Sequence, residues 1–259
     1  MREPSPLERA CLRLGAAGGA AVLAAALGAA ASAWCGPYRA AAYAALSLAT
    51  WLVVVRSLWR DAGRAGPGQA RLGAAMQLTA LRGLLVSLVA GFVTVSPTGA
   101  ACWLPAILYG AAVTLDNVDG RVARRRGEAT PLGAHFDEAM DALGLLVAPA
   151  VAVAWGRLPP WYLALGAAYY IYRAGLALRA RLGLPLHFDR LARRPLTRAF
   201  AGSQMALVVV ALAPLPRSEI VWAAATALML PSLAFFVRDW LLVTGRRVPR
   251  PPAVSAALR

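Results

Sequence analysis

The sequence predicts an all-α integral membrane protein with about eight transmembrane helices, and three observations predict it. Of its 259 residues 59% are hydrophobic, and the mean hydropathy is +0.58. Only 15% are charged, well below the roughly one quarter usual in soluble domains. Apolar runs of membrane-spanning length recur along the whole chain, each near the ~20 residues that cross ~30 Å of hydrocarbon.

Eight such runs lie at about 12–34, 39–58, 76–95, 101–117, 136–156, 160–178, 198–214 and 219–242. Turn-forming residues separate them: Gly36-Pro37, Gly66-Pro67-Gly68, Ser96-Pro97-Thr98-Gly99, Pro159-Pro160 and Pro214-Leu215-Pro216. The first run follows a charged start and ends at Ala31-Ser32-Ala33, which also resembles a cleavable signal peptide. It is longer than a usual signal core, so a retained helix is the expectation. The polar stretch 60–75 is read as a linker, with an interfacial helix as its alternative. The expected division is 1–70, a pair of helices with linker; 71–245, a six-helix core; and 246–259, a basic tail.

The net charge is +15, and all 27 basic residues are arginine. Nucleic-acid binding is not expected, because the aromatic residues are not interleaved with the arginines, which lie between apolar runs. The arginines read instead as topology signals and contacts for anionic lipid headgroups. With the N-terminus inside, 24 arginines fall on inner connections and only Arg39, Arg157 and Arg217 on outer ones. Both termini and the acidic stretch described next are therefore expected in the cytoplasm, and the chain in a membrane of the bacterial inner type. Cys11, Cys35 and Cys102 show no pairing pattern and read as free thiols. Tryptophans such as Trp34, Trp103, Trp155 and Trp161 fall near segment ends, as interfacial anchors do. The Ala- and Gly-rich first run suits close helix packing, within one chain or in a homodimer.

Six of the twelve acidic residues stand between Asp116 and Asp141. Carboxylates beside apolar runs are costly and usually serve a purpose. Asp116 and Asp119 are three residues apart and Asp137 and Asp141 four apart, so each pair shares a helix face. Two helix ends, each with two carboxylates, can surround one or two hard cations. With no supporting His or Cys cluster, Mg²⁺ or Mn²⁺ suits them better than Zn²⁺. Between the pairs an arginine-rich turn is expected. Gly120 allows close approach, Arg124 can grip phosphate through two donors, and Gly133 opens a helix whose N–H groups favour an anion. Together these describe a metal–diphosphate pocket.

The stretch resembles the motif of the CDP-alcohol phosphatidyltransferase family, D-x2-D-G-x2-A-R-x8-G-x3-D-x3-D. All eight fixed positions are present: Asp116, Asp119, Gly120, Ala123, Arg124, Gly133, Asp137 and Asp141. The resemblance covers roughly residues 72–245, the family's six-helix core, and leaves two N-terminal helices outside it. The family's first core helix often opens N-x-x-T-x-x-R. Thr79 and Arg82 match, and Met76 replaces the asparagine.

The resemblance implies transfer of a phosphatidyl group from a CDP-linked lipid, typically CDP-diacylglycerol, to an acceptor alcohol, with release of CMP. It implies that Asp116, Asp119, Asp137 and Asp141 bind two Mg²⁺ or Mn²⁺ ions. Asp141 would also take the acceptor proton. Gly120, Ala123, Arg124, Gly133 and Thr79 would form the CDP site. In several members the segment before the seventh helix binds an acceptor phosphate, which makes Arg193, Arg194 and Arg198 the acceptor candidates. The Gly-Lys and Lys-Thr pairs frequent in phosphatidylglycerophosphate-type members are replaced here by Arg193-Arg194-Pro195-Leu196-Thr197-Arg198.

Three other functions fit parts of the pattern. A transporter or ion pathway also uses intramembrane carboxylates, but spreads them through the membrane depth. A non-catalytic scaffold would have no need of all four aspartates. A CDP-choline or CDP-ethanolamine phosphotransferase would share the motif and differ in its lipid alcohol.

Overall fold

The computed structural model describes residues 6–31, 36–62, 73–96, 98–126, 130–188, 191, 195–215 and 218–245. Within them are eight α-helices: α1 (Pro6–Ala31), α2 (Pro37–Ala62), α3 (Ala74–Ala90), α4 (Leu104–Arg126), α5 (Pro131–Ala154), α6 (Leu163–Arg181), α7 (Pro195–Leu212) and α8 (Ser218–Val243). Short 3₁₀ turns extend α3 and precede α4 and α6, and the described residues contain no strand. Each expected apolar run has its helix. The expected linker and the basic tail lie almost wholly outside the described residues.

Among the described residues, five helical segments are long and apolar enough on their own to cross a membrane: Pro6–Ala30, Pro37–Arg60, Ala74–Thr94, Gly99–Val122 and Ser218–Val243. The apolar part of α7, Ala199–Leu212, is shorter. Helices α5 and α6 carry polar and charged residues among their apolar ones.

Local chemistry marks the helix ends. Proline at the first position begins α1, α2, α5 and α7, where its missing N–H costs nothing. Thr130 caps α5 by accepting the N–H of Gly133 at 3.0 Å. Helices α5 and α6 are followed by Gly156 (φ 69°) and Gly183 (φ 65°), the left-handed residues that close a helix C-terminus.

Helix α3 is the hub, packing against α2, α4 and α5. Glycines let its neighbours come close. A Cβ at Gly83 would stand 2.7 Å from Val54 Cγ1, and one at Gly91 would stand 2.3 Å from the Tyr43 ring. Tyr43 also donates its hydroxyl to Leu88 O at 3.0 Å. Through these contacts α2 is keyed onto α3. Helix α1 is keyed in turn onto α2, where Trp51 Nε1 donates to Gly15 O at 2.8 Å. The N-terminal pair is thus part of one packed bundle. On the other side α6 packs on α5, α7 packs on α4 and α5, and α8 closes against α6 and α7.

Helices α5 and α6 touch backbone to backbone. A Cβ at Gly166 would lie 2.7 Å from Leu145 O and 2.9 Å from Leu146 Cα. Neither atom can swing away, so a single methyl forces the helices apart. Gly166→Ala is expected to lower the thermal unfolding midpoint in detergent, at an overpacking cost of about 1–3 kcal/mol. Gly28→Ala, where a Cβ meets nothing within 4 Å, is the control that should leave the midpoint in place. Equal midpoints for both variants would contradict this packing.

Candidate metal and phosphate site

The four aspartates come together at one end of the bundle, and α4 supplies the first surprise. It does not stop near residue 117 but runs to Arg126. The expected arginine-rich turn is therefore helix, which carries Asp116, Asp119 and Gly120 on continuous backbone. The short α4–α5 connection then returns the chain so that Asp137 and Asp141, in the second and third turns of α5, face them.

Carboxylate oxygens of Asp116, Asp119 and Asp137 all lie within 4.8 Å of one another. Two ligands on opposite sides of Mg²⁺, each at about 2.1 Å, are about 4.2 Å apart. The trio is therefore close to the span of one ion. Asp141 is outside this trio and reaches it through a fifth residue.

That residue is Arg82 of α3, whose guanidinium is buried among all four carboxylates. Nη1 bonds Asp116 and lies 3.7 Å from Asp119; Nη2 lies 2.7 Å from Asp137 and 3.1 Å from Asp141. Nη2 also donates to the Asp137 carbonyl at 3.0 Å. The topology reading counts Arg82 with the loop arginines, and the structure corrects this: its side chain is only 4% exposed. Two signals set it apart: it is a lone charge inside the apolar run of α3, and it matches the family's first core helix motif.

Thr79, one turn before Arg82, holds Asp119. Its hydroxyl is 3.0 Å from Asp119 Oδ2 and 3.0 Å from Ala75 O, and with one proton it donates to one of them at a time. Met76, where the family motif has asparagine, is buried in the core.

The residues fit a hard divalent cation. The donors are all carboxylate oxygens, the type Mg²⁺ and Mn²⁺ prefer. One guanidinium faces four carboxyl groups, so the cluster lacks the cations to balance them. At its border, Arg82 Nε and the Tyr109 hydroxyl are buried without a hydrogen-bond partner among the described residues.

Other expected site residues fare differently. Gly120 is half-buried next to Asp119. The Gly133 N–H is already taken by Thr130, so this donor is not free for an anion. Ala123 and Arg124 lie on α4 and Arg198 on α7, with side chains outside the described part of the structure. Arg193 and Arg194 lie outside the described residues altogether. His135 pairs with Arg173, whose Nη2 is 2.9 Å from His135 Nε2.

Beyond Asp141 opens a cavity of about 1010 Å³ between α5, α6, α7 and α8. Asp141 lines it; Asp116, Asp119 and Asp137 do not. Its deep wall carries a polar chain with no signature in the sequence. Tyr162 donates to Gln204 Oε1, Gln204 Nε2 donates to Ser232 Oγ at 3.0 Å, and Ser232 Oγ donates to Leu228 O at 3.1 Å.

Fold and site together describe a helical membrane protein whose partly buried aspartate cluster suits a divalent cation. The family model for CDP-alcohol phosphatidyltransferase matches residues 72–238, and the chain belongs to that family. No curated protein and no solved structure matches it. It is a transferase of phospholipid biosynthesis, of the class that moves a substituted phosphate group from a CDP-alcohol.

Removing the Arg82 charge leaves four carboxylates facing one another. Arg82→Ala is expected to lower the unfolding midpoint in EDTA. The cost is of order 3 kcal/mol, at the low end for a broken buried pair because Asp137 and Asp141 are partly exposed. Mg²⁺ or Mn²⁺ should raise the variant's midpoint more than that of the parent. A variant as stable as the parent in EDTA would contradict the central place of Arg82.

Proposed function

We propose that the protein transfers a phosphatidyl group from CDP-diacylglycerol to an acceptor alcohol, on the cytoplasmic face of the membrane. The observation that carries this reading is the position of Asp141. It alone of the four aspartates borders both the cluster and the large cavity. A base must reach its proton while the electrophile is held beside it, and Asp141 stands at that boundary. The arginine asymmetry of the sequence supports the cytoplasmic placement.

Asp116, Asp119 and Asp137 would hold the metal, with Asp141 joining them if a second ion binds. Bound Mg²⁺ or Mn²⁺ would neutralise diphosphate charge and stabilise the leaving group. Gly120 and Ala123, with Arg124 as a phosphate donor, would shape the CDP site. Gly133 would leave room at the start of α5, and Thr79 would act indirectly by orienting Asp119.

The acceptor oxygen forms a bond to the phosphorus on the lipid side of the diphosphate. The bond from that phosphorus to the bridging oxygen breaks, and CMP leaves with the electron pair. The hydroxyl proton passes to Asp141. Such transfer depends mainly on positioning and charge neutralisation, which a packed five-residue charge cluster on rigid helices provides.

Asp141→Asn keeps shape and hydrogen-bonding capacity but cannot take the proton. It should cut CMP release by roughly 10²–10⁴-fold, the usual share of general acid–base catalysis, while the protein still inserts and unfolds at a normal temperature. Full activity would sink the assignment of Asp141. EDTA should stop turnover and Mg²⁺ or Mn²⁺ restore it; turnover unchanged in EDTA would contradict the metal role.

A further inference from the structure

We propose that Tyr109 and one buried water molecule hold Asp141 from behind, which makes Tyr109 a positioning residue for the proposed base. The positioning role rests on the transferase reading above; the water site does not.

Among the described residues, Asp141 lines both the large cavity and a second, much smaller one, and no other residue does. The small cavity, of about 10 Å³, lies between α3, α4, α5 and α7. Arg82, Tyr109, Asp116 and Asp141 are its polar lining, and the rest is apolar. Tyr109 stands two turns before Asp116, on the same face of α4. Gly144, one turn after Asp141 on α5, makes room for the ring. A Cβ there would stand 3.3 Å from Tyr109 Cε2 and 3.7 Å from its hydroxyl.

Two donors of this lining, Arg82 Nε and the Tyr109 hydroxyl, have no hydrogen-bond partner among the described residues. Tyr109 is 2% exposed and Arg82 3% as whole residues, so bulk water does not serve them. A buried donor without a partner is costly, and a phenylalanine would fill the same space without that cost. The cavity satisfies both donors at once. A water needs roughly 10–15 Å³ and two to four polar partners, and here it has four. It accepts from Arg82 Nε and from Tyr109, and donates to Asp116 and Asp141. Each of these carboxylates gives one oxygen to Arg82 and keeps further acceptor sites.

The chemistry selects water over an ion. Two unpaired donors repel a cation, and two carboxylates repel an anion. A neutral molecule that accepts twice and donates twice matches both pairs. Asp119 and Asp137 do not line the cavity, so an ion held by Asp116, Asp119 and Asp137 leaves it to the water. The consequence for catalysis is orientation. Asp141 meets Arg82 on one side, the large cavity on another and the small cavity on a third. Held from behind, its carboxylate keeps one oxygen turned to the acceptor hydroxyl, and proton transfer depends on that reach.

The test compares the purified full chain with Tyr109→Phe, first without substrate. Losing the hydrogen bond to a held water should lower the unfolding midpoint in EDTA by about 2–4 °C. In a dry cavity the same change removes an unsatisfied hydroxyl, so an equal or higher midpoint overturns the water site. A density map of the parent that resolves ordered waters should show one within hydrogen-bond reach of Tyr109 Oη and Arg82 Nε. Such a map with no water there counts equally against the site. CMP release is then measured in nanodiscs with CDP-diacylglycerol, Mg²⁺ and a mixture of glycerol 3-phosphate, inositol phosphate, inositol and serine. Tyr109→Phe should cut kcat about tenfold, less than the share of the base itself, and change the KM for CDP-diacylglycerol less than about twofold. In an Asp141→Asn background the same substitution should cost less than about twofold more, because it acts through Asp141. An undiminished kcat, or a tenfold loss in both backgrounds, overturns the positioning role and leaves the transferase reading standing. No CMP release from the parent overturns that reading and the positioning role with it, while the midpoint and the map still decide the water site.

Discussion

The burial of one guanidinium among four carboxylates is the interaction on which the rest depends. Arg82 binds Asp116 and Asp119 on α4 and Asp137 and Asp141 on α5. Neither partner is tolerable alone in an apolar bundle. Unpaired carboxylates would repel one another, and an unpaired guanidinium would lose its hydration without return. Together they tie α3, α4 and α5 at one end. They also keep the carboxylates convergent, as a divalent ion and a diphosphate require. The same residue therefore joins fold to chemistry.

This gives the N-terminal pair a physical place. Residues 72–238 match the family model, and α1 and α2 precede it. Helix α2 is nevertheless keyed into glycine notches on α3, at Gly83 next to Arg82 and at Gly91 near the far end. Helix α3 is thus held along its length on one side by α2, while its other side presents Arg82 and Thr79. On the opposite flank, the backbone contact at Gly166 fixes α6 against α5, and so sets one wall of the cavity beside Asp141.

The eight helices were legible because apolar length and turn residues are local signals, and proline and glycine marked most of the breaks. The four aspartates were legible because their spacing is a property of single helices. Arg82 was harder to read, because its role arises only when three helices meet. In a chain whose basic residues are all arginine, the topology tally took it as another inner charge, although its match to the family's first core helix set it apart. The end of α4 was misplaced for a related reason: Gly120 and the arginines after it suggest a turn, yet helix continues through them. The Tyr162–Gln204–Ser232 chain joins residues far apart in sequence, each unremarkable alone.

The most direct test of the central claim is electron paramagnetic resonance of Mn²⁺ added to the purified, metal-stripped protein, with no substrate present. A site-bound Mn²⁺ signal with oxygen ligation is expected, displaced by excess Mg²⁺ and lost or strongly weakened in Asp116→Asn and Asp137→Asn. If the parent protein gives only the spectrum of free Mn²⁺, or if both variants bind Mn²⁺ as the parent does, the aspartate cluster around Arg82 is not a metal centre and the account fails.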